Sequence, residues 1–306
     1  MKRRSRLKKN RITPFSLFLF IVLTLYVLSI FAVLGWGIMT SLKDKWDYIY
    51  YGAGTLPSEE FGWHFDNYIQ AFKLLRVPIY TEKGTYFVYM GEMLLNSFLY
   101  SIGAAFFATI TPCLVAYACQ RYKFKYLKVL YSIVIVTMLL PIVGSLPSEI
   151  TMMRNLGFLG NGELAEYIGI LFMKSNFLGL YFLVFYASFQ SIPRDYEEAA
   201  FIDGASHFKV MLRVNMPLIK TTIASVFLLN FITAWNDYQT PMIFWSSRPT
   251  LAYGMYLFKF STEKELLDSV PLTIAGGIIM VIPIVTLYVI ASRKLLGNIT
   301  AGGIKG

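Results

Sequence analysis

A polar segment at residues 193–217, between two long apolar runs, carries the residues whose types and spacing could do chemistry. A carboxylate at Glu197 is followed closely by two small residues, Ala199 and Ala200. Small side chains let a helix sit deeply in a cleft of another protein, and a carboxylate beside them can accept hydrogen bonds from basic or backbone donors. The pattern therefore indicates non-covalent binding of a protein partner. An ordinary connecting loop is the alternative, since these three residues alone are common by chance.

The same segment predicts two short helices separated by a sharp turn. Three acidic residues fill the first turn of a helix that is expected to begin directly after Pro193, where the helix dipole is positive. Gly204 supplies the positive φ that often follows a helix C-terminus, and Ser206 can cap a second helix over residues 207–213. Pro217 is then expected to close the segment before the next apolar run.

Enzymatic and metal chemistry finds no support in the sequence. His64 and His207 lie outside the apolar runs, and there is no His-Glu-x-x-His or Gly-x-Ser-x-Gly pattern. No pair of carboxylates lies within one apolar run. Cys113 and Cys119 fall in the same run with neither a disulfide framework nor a metal-ligand spacing, so a packing role is expected. We therefore predict no catalytic residue, no metal site and no cofactor in this chain.

The composition predicts an all-α integral membrane protein. With 56% hydrophobic residues, 15% charged residues and a mean hydropathy of +0.54, the chain has more apolar surface than a soluble domain can cover. A charge at the bilayer centre costs about 2.5 to 3.5 kcal/mol, so uncharged windows of about 17 to 25 residues mark candidate spans. Asp237 interrupts one window but would lie near the far membrane interface. Six transmembrane helices result, at residues 15–42, 93–120, 129–148, 175–193, 221–247 and 269–292.

The basic residues predict the orientation of these six spans, which place both termini on one side. Of the 28 Lys and Arg residues, 18 lie in the N-terminal arm, the loop at 121–128, the segment at 194–220 and the tail. Those parts are therefore expected to face the cytoplasm. The net charge of +10 follows from this topology rather than from nucleic-acid binding, because no basic face with interleaved aromatic residues is present. The first apolar run is too long for a signal peptide, so we expect an uncleaved helix.

The chain divides on this prediction into five parts. The loop between the first two spans mixes many aromatic residues with Gly and Pro, which is typical of a small cap at a membrane interface with aromatics at headgroup depth. The parts are a basic cytoplasmic arm (1–14), the first transmembrane helix (15–42), the extracytoplasmic loop (43–92), a five-helix core with the polar segment at 193–217 on its cytoplasmic side (93–292), and a Gly-rich cytoplasmic tail (293–306).

The polar segment resembles a motif of a known transporter family. Its spacing of a Glu, two Ala, a Gly and a Pro is similar to that of the loop by which permease subunits of maltose-type (carbohydrate) ABC importers bind their ATPases. The matching residues are Glu197, Ala199, Ala200, Gly204 and Pro217. Four other stretches also resemble this family, namely Trp235-Asn236-Asp237-Tyr238 followed by Pro241, the tail at 298–306, Thr40-Ser41-Leu42-Lys43, and Asn67-Tyr68.

This resemblance implies the type 1 ABC importer permease fold and a pore subunit that is not itself an enzyme. The five matching residues would form the coupling helices that dock in a groove of the ATPase, and the tail would reach the ATPase dimer interface. The chain has no Gly-x-x-x-x-Gly-Lys-Ser/Thr loop, so ATP and Mg would be bound by separate ATPase subunits. The implied partners are a homologous second permease, two ATPase subunits, an extracytoplasmic solute-binding protein and the lipid of a bacterial or archaeal plasma membrane.

A candidate solute pathway lies at the end of the fifth window. Asn230, Trp235, Asn236 and Tyr238 combine hydrogen-bonding groups with flat aromatic faces, as a sugar site would need. The alternative is that they pack helices together and anchor the outer interface. Two other functions stay open, namely an ABC importer for a non-sugar solute and a stand-alone secondary transporter. The second usually holds buried ion-coupling charges at the bilayer midplane, and these span centres carry none.

Overall fold

The computed structural model describes residues 13–81, 84–140, 144–260 and 269–299, and most of them are helical. Within these residues, three helices are long and apolar enough to cross a membrane: α1 (Pro14–Ser41), α4 (Met90–Arg121) and α15 (Val270–Ile299), the last by its part up to Ile290. The basic arm before residue 13 and the Gly-rich tail after residue 299 lie outside the described residues. Pro14 stands in the first turn of α1, where its missing N–H leaves no bond unmade, and Thr13 caps the helix by accepting from the amide of Ser16.

The other predicted spans are shorter or broken helices. α5 (Lys125–Leu139) ends well before residue 148, and α8 (Leu180–Gln190) has 11 residues, about 16 Å at 1.5 Å per residue. The fifth window forms α12 (Lys220–Trp235), which bends by 77° from the helical stretch His207–Leu218 before it. Among the described residues the six windows are not six uninterrupted long helices, because a run of uncharged residues also includes turns, such as the one at Gly179, whose φ is +128°, before α8.

The region between α1 and α4 is a folded unit, which we call the cap (residues 43–89). It contains α2 (Lys45–Tyr51), α3 (Asn67–Leu74) and a hairpin of β1 (Arg76–Thr81) with β2 (Gly84–Tyr89), in which Arg76 pairs with Tyr89. The Lys43 side chain is fully buried in the cap, and its Nζ donates to the carbonyl of Gly52 at 2.9 Å and to Thr55 Oγ1 at 2.7 Å.

Two sequence stretches singled out by family resemblance meet in the cap. Asn67 Nδ2 donates to the carbonyl oxygens of Ser41 at 2.9 Å and Lys43 at 2.8 Å, and the hydroxyls of Ser41 and Tyr68 lie 2.7 Å apart. The amide side chain thereby satisfies backbone carbonyls at the C-terminus of α1, which have no partner within the helix. These bonds fasten the end of α1 to the start of α3.

Helix α4 is the centre of the packing. It lies against α12 and α8 along much of its length, and also against α5, α7 (Glu163–Lys174) and α14 (Leu251–Phe260). Small buried residues such as Ala104 and Ala105 let the neighbouring backbones approach closely. Two further short helices, α6 (Leu146–Asn155) and α13 (Gln239–Phe244), complete this side of the bundle.

The cap and the 193–217 segment lie at opposite ends of α4. Strand β2 leads directly into Met90, whereas Arg121 at the other end contacts the 193–217 segment. The 32 residues between these points correspond to about 48 Å of helix. This distance is sufficient to span a bilayer with its headgroups.

Candidate functional site

The first half of the 193–217 segment folds as its sequence predicts. Helix α9 (Asp195–Ile202) begins directly after Arg194, and Gly204 follows it with a φ of +78°. The amide of Ala205 donates to the carbonyl of Ala200 at 3.0 Å, which closes the turn in the manner of a left-handed helix C-cap. Helix α10 (His207–Val210) then starts with Ser206 as its cap, whose Oγ accepts from the amide of Lys209 at 3.4 Å.

The second half departs from the prediction of a helix that stops near residue 213. Helix α10 continues into a π-helical turn (Met211–Asn215) and then into α11 (Met216–Leu218). Pro217 lies within α11, and the helical stretch ends one residue after it, at Leu218. The chain bends instead at Ile219, which separates α11 from α12.

The surface of the segment is open and carries large apolar side chains among charged ones. No residue of α9 is buried, Ala199 is exposed and Ala200 is half-buried. Large apolar side chains point outward on both sides of the turn, with Ile202 86% exposed and Phe208 67% exposed. Pro217 is exposed too. A cluster of exposed apolar side chains of this kind is typical of a protein interaction surface.

Glu197 differs from the other four matching residues because its carboxylate forms an ion pair with a residue of the same chain. Its Oε1 lies 2.7 Å from Nε of Arg121, the last residue of α4, and the two side chains are only 12% and 4% exposed. In this structure the basic residue paired with the Glu197 carboxylate therefore belongs to the chain itself, and a contact of Glu197 with a partner stays a prediction. No sequence signal reveals this pair, since the residues are far apart in the chain and belong to different elements.

Arg121 also binds two other parts of the chain. Its Nη2 donates to the carbonyl of Ile192 at 3.2 Å, just after α8, and to Oδ1 of Asn215 at 3.3 Å in the π-helical turn. Asn215 is fully buried. Sequence reasoning counted Arg121 only as a loop charge and did not consider Asn215.

Two of the four candidate solute residues hold helices together. Trp235 is 1% exposed, donates from Nε1 to the carbonyl of Met280 at 3.1 Å and packs its ring against Phe98 and Phe231. Asn230 donates to Thr109 Oγ1 at 3.0 Å. These contacts join α12 to α15 and α4, so the structure gives Trp235 a packing role rather than an accessible aromatic face.

The other two candidates keep open faces. Asn236 is exposed at the end of α12, and its Nδ2 donates to the carbonyl of Ile232 at 2.8 Å. Tyr238 is also exposed and stacks on Tyr256, with ring centroids 4.2 Å apart and nearly parallel planes. The exposed ring of Tyr238 beside the exposed Asn236 side chain provides groups of the kind that a sugar could contact.

Asp237, between these two residues, is the centre of a polar cluster that the sequence did not reveal. Its carboxylate is paired with Lys174 Nζ at 3.1 Å and accepts hydrogen bonds from Tyr100 Oη at 2.7 Å and Thr240 Oγ1 at 2.6 Å. Three charge-assisted bonds satisfy the carboxylate where it is largely shielded from solvent. The cluster joins α4, the end of α7 and the break between α12 and α13.

A second group of charged residues, which is exposed, is centred on Arg248 in the loop before α14. Arg248 Nε donates to Glu163 Oε2 at 2.8 Å, and its Nη1 is 3.4 Å from Glu92 Oε1. The hydrogen bond from Arg248 to Glu163 is the main cause that raises the pKa of the guanidinium. These contacts tie the loop before α14 to the starts of α7 and α4.

An apolar cavity of ≈ 450 Å³ opens between α4, α12 and α15. It follows α12 from Lys220 at its first turn to Phe231, and Phe106 of α4 and Leu287 of α15 close its sides. Because most of the lining residues are apolar, the cavity does not form a polar binding site.

Comparison with known proteins identifies relatives along almost the whole chain. Residues 101–295 match the family described as "Binding-protein-dependent transport system inner membrane component". The chain is 28% identical over 300 residues to the inner membrane ABC transporter permease protein YcjP of Escherichia coli (strain K12), covering 94% of each chain. It is 23% identical over 285 residues to the diacetylchitobiose uptake system permease protein NgcG of Streptomyces coelicolor, covering 92% of this chain and 86% of the relative.

A solved structure shares the fold. A chain of a bacterial ABC transporter involved in the import of the acidic polysaccharide alginate superposes with a TM-score of 0.66 at 22% identity, over 96% of this chain and 99% of that chain. The matched family region begins inside α4 and contains the 193–217 segment, Arg121 and the Asp237 cluster except for Tyr100.

Proposed function

Because this chain belongs to the family of binding-protein-dependent transport system inner membrane components, we propose that it is a permease subunit of an ATP-driven ABC importer for a sugar or oligosaccharide. It is a pore subunit and not an enzyme. The observation that carries the proposal is the two-helix 193–217 segment, whose turn at Gly204 presents exposed apolar side chains at one end of α4. Relatives that import carbohydrates, such as the diacetylchitobiose permease, support the sugar assignment.

The topology we propose has six membrane crossings with both termini in the cytoplasm. α1, α4 and α15 have the length and composition to cross singly, and α5, α8 and α12 would supply the remaining crossings together with the short helices that extend them. The cap and the 193–217 segment are about 48 Å apart along α4, which supports placing them on opposite membrane faces. The excess of basic residues beside the 193–217 segment supports placing that face in the cytoplasm.

The proposed partners follow from this placement. Two ATPase subunits, which bind ATP and Mg, would receive the 193–217 segment and its counterpart on a homologous second permease. An extracytoplasmic solute-binding protein would deliver the sugar to the opposite face. Alternating access would follow when closure of the ATPases on ATP moves the two segments together. Asn236 and Tyr238 are the residues of this chain that we propose contact the solute.

Reconstitution tests the function directly. The chain, its second permease, the ATPase and the solute-binding protein are purified as a complex, placed in liposomes and assayed for ATP hydrolysis with and without the sugar-loaded binding protein. We expect Gly204→Asp to leave membrane insertion intact but to lower ATPase co-purification or sugar-stimulated hydrolysis, because the turn strains any side chain at a φ of +78°.

The matched control is Gly160→Asp. Gly160 has a φ of +85°, and nothing lies within 4 Å of a side chain added there, as at Gly204, but it lies in the loop before α7. Normal ATPase co-purification and hydrolysis in Gly204→Asp would contradict the assignment of the 193–217 segment. Equal losses in both variants would show only that strain at any such turn harms the protein.

A further inference from the structure

The Arg121 guanidinium holds three parts of the chain at one point. Its Nε is 2.7 Å from Glu197 Oε1 in α9, and its Nη2 reaches the carbonyl of Ile192 at 3.2 Å and Asn215 Oδ1 at 3.3 Å. The planar fork of an arginine can serve several acceptors in fixed directions, which a lysine ammonium cannot. The last residue of α4 thereby contacts both helical parts of the 193–217 segment.

The ion pair of Arg121 and Glu197 is well shielded from solvent. The side chains of Arg121 and Glu197 are 4% and 12% exposed, and a charge left unpaired at such a site is unfavourable. Aromatic contacts support the same junction, since the Tyr122 ring lies 5.9 Å from that of His207, which packs at 4.8 Å against Phe201 of α9. The segment is therefore joined to the end of α4 by a largely shielded ion pair and by contacts between aromatic rings.

Helix α4 continues from this junction to the Asp237 cluster. Tyr100, which lies 21 residues before Arg121 in the same helix, donates to Asp237 Oδ2 at 2.7 Å. The separation corresponds to about 32 Å of continuous helix. α4 packs along its length against α12 and α8. A displacement of one end of α4 is therefore transmitted along a helix that its neighbours support.

We propose that Arg121 and Glu197 form a positioning pair that transfers movement of the 193–217 segment to α4, and through Tyr100 to the break at Asp237. Glu197 on this view acts inside the permease and not as a contact to the ATPase. The proposal rests on the proposed function, because the movement is imposed by the ATPases. The contact with the ATPase is made by Ala199, Ala200 and the exposed apolar side chains. The ion pair transmits the resulting movement to α4.

A double-mutant cycle in the reconstituted complex tests this pair. The variants are Arg121→Gln, Glu197→Gln and the two combined, and the control is Lys123→Gln, which removes an exposed positive charge in the same loop. Three quantities are measured per assembled complex: the number of ATPase subunits retained, the basal rate of ATP hydrolysis, and its stimulation by sugar-loaded binding protein. We expect each single variant to retain the ATPases and to lose stimulation by about tenfold, within the usual range of coupling between sites.

The combined variant decides between the two roles of Glu197. If the residues act as one pair, the double variant loses no more stimulation than either single variant. If Glu197 contacts the ATPase, Arg121→Gln behaves like the Lys123→Gln control whereas Glu197→Gln sheds ATPase subunits, and the proposal is overturned. Losses that multiply to about a hundredfold in the double variant would overturn it as well.

A conservative variant covers the case in which Arg121→Gln assembles poorly. Arg121→Lys keeps the positive charge but cannot reach Glu197, Ile192 and Asn215 together. We expect assembly with a partial loss of stimulation, and full stimulation would overturn the proposal. The unaltered chain reports separately on the proposed function, since failure of that chain to retain ATPases, or to respond to sugar, refutes the importer itself and not the pair.

Discussion

Replacement of Trp235 by Ala distinguishes a packing role from a solute contact. The side chain is 1% exposed, its Nε1 bonds the carbonyl of Met280, and its ring packs against Phe98 at a centroid distance of 4.8 Å and Phe231 at 5.6 Å. Truncation of a buried Trp to Ala removes these contacts and leaves a cavity, which typically destabilises a protein by about 3 to 5 kcal/mol. The unpaired carbonyl adds to this loss.

The assay is thermal unfolding of the purified complex in detergent. A loss of 3 kcal/mol lowers the Tm of a protein of this size by about 6 to 12 °C, at about 2 to 4 °C per kcal/mol. Trp235→Phe keeps most of the packing and loses only the indole hydrogen bond, so its Tm should lie between those of the unaltered protein and Trp235→Ala. Tyr238→Ala, in which an exposed ring stacked on Tyr256 is lost, should lower sugar uptake with little change in Tm.

The result that would refute this reasoning is specific. If Trp235→Ala melts within about 2 °C of the unaltered protein while sugar uptake is abolished, Trp235 faces the solute in the working transporter. The packing seen in the structure would then belong to a conformation in which the pathway is closed to that side chain.

Three further changes have expected outcomes that thermal unfolding of the same complex can measure. Asn67→Ala should lower the Tm by several degrees, because two buried carbonyls lose their donor at about 1 to 3 kcal/mol each; Asn67→Asp, which cannot donate, should do the same. Gly103→Ala should destabilise by about 1 to 3 kcal/mol, since its methyl group would overlap the Tyr167 hydroxyl, and Tyr167→Phe should restore part of the loss. Lys174→Met should destabilise by about 1 kcal/mol or more by leaving Asp237 without its cation, and adding Asp237→Asn should reverse much of the effect; an additive double variant would contradict the pairing.

Local features of the candidate site were predictable from the sequence. The helix start after Pro193, the turn at Gly204 and the cap at Ser206 depend on residues close together in the chain, and the structure has all three. The π-helical turn was not predicted, and the hydrogen bond that its residue Asn215 accepts from Arg121 of another helix is not visible in a single sequence. The family resemblance is likewise confirmed by the matched region at residues 101–295.

Features that depend on tertiary contacts were predicted less well. Uncharged windows found α1, α4 and α15 but overestimated α8, since hydropathy does not show where a helix begins within an apolar run. Trp235 was a candidate for contact with a sugar because of its aromatic residue type. Only its position between α4 and α15 shows that the side chain is enclosed. The ion pairs of Arg121 and Asp237 join residues distant in sequence, and a single sequence holds no record of such pairs.

Helix α1 has a consequence for how the molecule is made. Its apolar side chains are open to the surroundings around the whole circumference, and its buried residues, Thr40 and Ser41, stand at its last turn. A helix that is apolar all round can reside in lipid without help from the rest of its chain. Insertion of α1 into the bilayer therefore does not depend on the rest of the bundle, and lipid or a neighbouring polypeptide can cover the flank that does not contact α15.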